Sequence, residues 1–197
     1  MKRFVIAAFV AAAALLASAA PGTVRAQIPP PPTPGPDPHL YSDPGMDFTA
    51  PPEAYLAGRR IIPPAALGDD LQPVAIWVVN PGKEDAKEIQ IMMEAFSGAP
   101  DQWEGQFESQ MHGSQDGVLF KRRTPMSLTN GMPATFVEIT YGSGFDAKKE
   151  FAVVFADGTR GIAITETGRI GELSAEQAQA ALKIAKAVRY PIDRDQP

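Results

Sequence analysis

The sequence predicts an α+β fold: an antiparallel β-sheet of about six to seven strands covered by α-helices. Three observations carry this expectation. Four strand-like runs between Val118 and Thr165 are separated only by short glycine-containing turns, and successive short turns make successive strands antiparallel neighbours. Ahead of them Trp103, Phe107 and Met111 recur every four residues, the period of a helix with one apolar face. A second apolar helical stripe, Ala178, Ala181, Leu182, Ala185 and Val188, closes the domain and offers the cover that a sheet face requires.

The elements are preceded by an export signal and a linker. Lys2 and Arg3 introduce an apolar run from Phe4 to Ala20, and Val24-Arg25-Ala26 places small residues for cleavage after Ala26. The run of about seventeen residues approaches the roughly 20 of a membrane span, so an uncleaved anchor is the competing reading. Its alanine richness favours cleavage, with Gln27 as the mature start. The chain has no cysteine, so neither a lipid-modified cysteine nor a disulfide is expected. Prolines 29, 30, 31, 32, 34, 36 and 38 then hold residues 27–39 near polyproline II. This is either a solvated tether or a ligand for a proline-recognising groove, and His39 at its end reads as an exposed linker residue.

The folded domain is expected over residues 40–192, with 193–197 as a tail. Leu40 to Pro51 reads as a hairpin through Asp43-Pro44-Gly45, closed by a proline. A less regular stretch to Gln72 follows, where Arg59-Arg60 and Asp69-Asp70 read as solvated loop charges. Val74, Ile76, Trp77, Val78 and Val79 make a strand apolar on both faces, hence inside the sheet. Lys87 to Phe96 alternates as a half-buried strand. Pro100 and Asp101 suit the first turn of the Trp103 helix, which Gly113 can end. That aromatic stripe reads as a core face, with a binding platform of Trp103 and Phe107 as the alternative.

The meander comprises Val118 to Leu128, Met132 to Tyr141, Lys148 to Ala156 and Thr159 to Thr165. Asn130-Gly131 and Asp157-Gly158 are strong hairpin signals, with positive φ expected at both central residues. Ser174 with Gln177 makes a capping box for the last helix.

The Tyr41 to Pro51 hairpin, the Gly131-Met132-Pro133-Ala134 strand entry and the helix running into Val188-Arg189-Tyr190 together resemble the PsbP-like fold. The resemblance spans roughly residues 40–192 and implies an α/β/α sandwich. Where a Gly-Trp pair often follows the early proline, this chain has Pro52-Glu53-Ala54-Tyr55. The superfamily shares a shape without a common site, so no functional residue carries over. Its characterised members mostly bind or help assemble other proteins, which implies a partner-binding module.

The residues themselves assign no catalytic, cofactor-binding or metal site, and no cofactor. Only His39 and His112 could serve as imidazole bases, and Ser114 near His112 lacks a nucleophile elbow. His112 reads as a helix-terminal residue. Glu94, Glu138 and Glu150 lie on strands, where an inward carboxylate would suit acid–base chemistry, but alternation places them as readily on a solvent face. Asp43, Asp47 and Asp157 fall short of a calcium loop, zinc lacks thiolates, and Gly142-x-Gly144 opens no helix for a phosphate. Lys121-Arg122-Arg123 splits across two strand faces, Lys121 with Arg123 on one and Arg122 on the other, and suits protection of a sheet edge.

Cleavage removes Lys2, Arg3 and Arg25, leaving 15 basic against 23 acidic side chains and a formal charge of −8. Nucleic acid is therefore an unsuitable partner. The function expected is a noncatalytic module, periplasmic or secreted, that binds another envelope or secreted protein, without stable membrane insertion after processing. One alternative is a binder of a small molecule, lipid or ion in a pocket between sheet and helix, and another is an uncharacterised hydrolase. An exposed apolar patch marks the first, a concave cavity the second, and a cleft acid with a raised pKa the third.

Overall fold

The computed structural model describes residues 36–171 and 173–182. The signal with its cleavage site at Ala26, residues 27–35 of the linker, residues 183–192 with Ala185, Val188 and the Val188-Arg189-Tyr190 segment, and the tail 193–197 lie outside the described residues.

Strands β1 (Leu40–Asp43) and β2 (Met46–Thr49) form a two-stranded sheet of their own. Asp43 builds their turn, its Oδ1 accepting from the backbone N–H of Gly45 and Met46 at 2.7 and 2.9 Å. The main sheet is antiparallel throughout and has seven strands: β3 (Tyr55–Arg59), β4 (Gln72–Val79), β5 (Lys87–Ala95), β6 (Leu119–Ser127), β7 (Pro133–Tyr141), β8 (Lys148–Ala156) and β9 (Arg160–Arg169). Their order is β3-β4-β5-β9-β8-β7-β6. The meander β6 to β9 has the expected order, but β9 runs on past the expected end at Thr165 to Arg169, and it returns to pair with β5. Helices α1 (Pro100–Ser114) and α2 (Ala175–Ala181) complete the α+β fold.

Both faces of the sheet are covered. Trp103, Phe107 and Met111 of α1 pack on Val137, Ile139, Ala152, Val154 and Ala163. Ring contacts at 6.3 Å between Trp103 and Phe107 fix this layer, and neither ring reaches solvent, so the stripe is core and not a binding platform. The opposite face joins Trp77, Ile89, Ile91, Phe151, Val153 and Ile164 to hairpin residues Tyr41 and Phe48 and to Ala178 of α2. Strands β8 and β9 are consequently buried on both sides over most of their length. Of the capping box expected for α2, the structure shows the Ser174 half, its Oγ accepting from the Gln177 N–H at 3.2 Å.

Several local expectations are corrected. Residues 55–59, expected to be irregular, form edge strand β3 with a bulge between Leu56 and Gly58; proline on one side and Gly58 within hide its alternation. Arg59 is no solvated charge, because its guanidinium donates to the carbonyls of Asp37 and Leu40. Arg60 donates to Pro73 O and Gln72 Oε1. The linker end is part of the fold: Trp77 Nε1 donates to Pro38 O at 2.8 Å, and His39 is half-buried with Nδ1 unpartnered. Helix α1 runs past Gly113 to Ser114, and Gly117 takes the positive φ of 66°. At the Asn130-Gly131 and Asp157-Gly158 turns only the glycines have positive φ, 82° and 92°. Asp157 instead caps its turn through Oδ1, which accepts from the N–H of Thr159 and Arg160.

Candidate functional site at the Glu150 end of the sheet

On β8 the residues facing α1 are Glu150, Ala152, Val154 and Ala156, and those facing the hairpin layer are Phe151, Val153 and Phe155. With both sets apolar, Glu150 begins a face that is wholly interior. The last turns of α1 stand over this end without filling it. A concavity of about 620 Å³ results, walled by Gln110 and Met111 of α1, by Val78 and Met92 of β4 and β5, and by Tyr141 and Thr165 of β7 and β9.

Glu150 lines this concavity and is 5 % exposed. Its Oε2 accepts from Thr167 Oγ1 at 3.0 Å and from the Tyr141 hydroxyl at 3.3 Å. Its Oε1 is buried and has no partner. Burial pushes the carboxyl pKa up to about 7, reinforced by Glu88 and opposed by the two hydroxyl donors and by the Lys148 charge. Burial, with the Glu150 charge beside it, also raises the Tyr141 phenol, which keeps that group a donor. Register places Glu150 opposite Thr167, and the next pair on the same face toward the start of β8 is Lys148 opposite Arg169. Both of these cations are exposed.

Two other carboxylates are also interior: Glu94, contrary like Glu150 to its solvent-face expectation, and Glu166, which the sequence did not single out. Glu94 is fully buried, with Gln106 and Gln110 of α1 donating to its two oxygens, and burial raises its pKa. Glu166 lies on the hairpin side beside a second cavity of about 540 Å³. Burial raises its pKa too, yet Lys87 Nζ stands 3.6 Å away and compensates its charge. Glu150 has no ion-pair partner among the described residues. Glu138 is half-buried and pairs with Lys149 at 3.3 Å.

The remaining candidates are not brought together. His112 lies 3.8 Å from Glu108 at the end of α1, and Ser114 Oγ donates to Met111 O at 3.4 Å. Asp43 is committed to Arg160 and its own turn, while Asp47 accepts from Ser42 Oγ at 2.5 Å. Among the described residues, no three His, Cys, Asp or Glu side chains gather as metal ligands. The basic cluster lies on edge strand β6, as expected, but a bulge between Phe120 and Arg122 alters its facing. Arg123 thereby joins Phe120 on the α1 side, over its ring at 5.3 Å, and pairs with Glu104 and Glu108.

The arrangement offers a buried acceptor with two aligned hydroxyls inside a half-apolar concavity, a setting for a hydrogen-bond donor or cation. Among the described residues no helix is long and apolar enough to cross a membrane.

No protein-family model matches the sequence and no curated protein is similar to it. Among solved structures, the chain is similar to a protein of unknown function from Pseudomonas aeruginosa, at 15% identity and a TM-score of 0.47, over 77% of this chain and 96% of that one. It is also similar to cyanobacterial PsbP from Synechocystis, at 10% identity and a TM-score of 0.48, over 74% of this chain and 91% of that one. PsbP, whose fold the sequence resembles, is thus among the structures to which this chain is similar.

Proposed function

We propose that this chain is a noncatalytic exported binding module whose ligand is a small polar molecule held in the Glu150 concavity. The observation that supports it is Glu150 itself, which lines that space and carries a buried, unpartnered Oε1. Leaving a buried acceptor unpaired costs about 1–3 kcal/mol, a penalty that a ligand N–H or O–H removes. The mixed lining suits a short apolar body with a polar head. Calorimetric titration of residues 27–197 with butylammonium tests the reading. Saturable binding is expected, weakened at least about tenfold in Glu150→Gln, since an N⁺–H to carboxylate bond is roughly twice as strong as a neutral one. Heats that do not saturate, or equal affinity in the variant, count against it.

Binding of another envelope protein is a second reading, favoured by one feature. Leu119, Phe145 and Ile170 are exposed at the same end of the sheet, at the start of β6, in the β7–β8 connection and just after β9. Such a rim of apolar side chains suits a partner surface. Replacing all three with serine should abolish capture of a partner without changing butylammonium affinity.

A further inference from the structure

We infer that the ligand is a small linear zwitterion, with its ammonium on Glu150 and its anionic group between Lys148 and Arg169. This rests on the concavity being a ligand site and adds the chemical class of what it takes.

The register of β8 and β9 carries the inference. Lys148 and Arg169 are direct cross-strand partners, two residues along the strands from the Glu150 and Thr167 pair. Residues two apart on a strand share a face, so both cations belong to the face that carries Glu150 and line the same concavity. Like charges directly opposite each other destabilise a sheet. Neither cation has an ion pair or hydrogen bond among the described residues, although acids are in excess over the whole chain. An anion held between them relieves the repulsion. Further in, the unpartnered Glu150 Oε1 presents the complementary demand for a donor. The two demands are set about 7 Å apart, two residues at roughly 3.3 Å each. Met92 and Val78 wall the concavity with apolar surface that suits methylene groups. A linear amino acid with about four methylenes between its charged ends spans that separation. Glu84 and Glu88 also line the concavity, and Glu88 is engaged by the Gln90 amide.

Calorimetry at fixed ionic strength with 5-aminopentanoate, pentylammonium, pentanoate and glycine separates the possibilities. The zwitterion is expected to bind about fivefold more tightly than pentylammonium, the gain from a second, exposed ion-paired end, and at least about tenfold more tightly than pentanoate, which lacks the Glu150 end. Glycine, too short to reach both ends, should bind at least about tenfold more weakly than 5-aminopentanoate. Lys148→Gln with Arg169→Gln, both at exposed positions, should bring 5-aminopentanoate down to the pentylammonium level. Lys148→Arg with Arg169→Lys should keep the preference. Equal affinity for 5-aminopentanoate and pentylammonium, or an unchanged affinity in the double glutamine variant, overturns the zwitterion while leaving the concavity a ligand site. Absence of binding by all four probes overturns both.

Discussion

Arg160 Nη1 lies 2.6 Å from Asp43 Oδ2, and both side chains are inaccessible to solvent. Arg160 opens β9 of the main sheet and Asp43 ends β1 of the hairpin, so one buried ion pair ties two sheets together. Asp157 Oδ2 takes a second guanidinium bond at 2.7 Å from Nε, and Tyr41 donates to Asp43 at 2.9 Å. Burial alone would raise the Asp157 pKa, but the Arg160 charge and hydrogen bonds take it below the ordinary value.

Breaking that pair by Asp43→Asn should cost about 3–5 kcal/mol, because it leaves a buried guanidinium undercompensated. The amide keeps an oxygen for the Gly45 and Met46 N–H groups, so the turn itself survives the change. Asp43→Ala removes that cap too and should be worse by about 1 kcal/mol. Urea denaturation of the three proteins checks the order.

Glu150 sets a pH dependence of the opposite sign to a salt-bridged acid. Its folded-state pKa is raised from 4.5 to about 7, so the native state holds the proton more tightly than the unfolded chain. Its contribution is fully favourable below about pH 4.5, falls as pH rises toward 7, and is level above that. The difference amounts to roughly 3 kcal/mol. Glu94 and Glu166 shift in the same direction, so the test is the stability difference between wild type and Glu150→Gln across that window. The variant should gain relative stability with rising pH and plateau above pH 7 on the order of this amount.

Gly161 lies under the indole of Trp103, where a Cβ would stand 2.4 Å from the ring. The indole is held there by its Nε1 donating to Ile162 O at 3.1 Å. Gly161→Ala should destabilise by about 1–3 kcal/mol through overpacking, and should alter the Trp103 fluorescence. Trp103→Ala should cost about 3–5 kcal/mol.

On edge strand β6, Lys121 and Arg122 are exposed. Replacing both with valine should leave the melting temperature within a few degrees but increase light scattering on storage, since charged side chains deter edge pairing. Arg123→Ala, which loses only partly exposed ion pairs to α1, should cost about 1 kcal/mol or less.

Local signals foretold most of this architecture because they act over a few residues. The Trp103 stripe, the Ser174 cap and the glycine turns of the meander each mark their element directly. Strand β3 escaped because Gly58 and a bulge erase its alternation, and only pairing with β4 makes it a strand. The ion pair of Asp43 with Arg160 spans 117 residues and has no sequence signature. The site was half visible. Phe151, Val153 and Phe155 against Ala152, Val154 and Ala156 show β8 to be apolar on both faces, which puts Glu150 on an interior face at its start. That Tyr141 and Thr167 would meet its carboxylate depends on the strand register, which local patterns leave open.

The most direct test is a two-dimensional ¹H–¹⁵N NMR titration of residues 27–197 with 5-aminopentanoate. Saturable shifts should concentrate at Tyr141, Lys148, Glu150, Thr167 and Arg169 and vanish in Glu150→Gln. Shifts confined to the hairpin and α2 side around Glu166, or none at millimolar ligand, would contradict a binding site at Glu150.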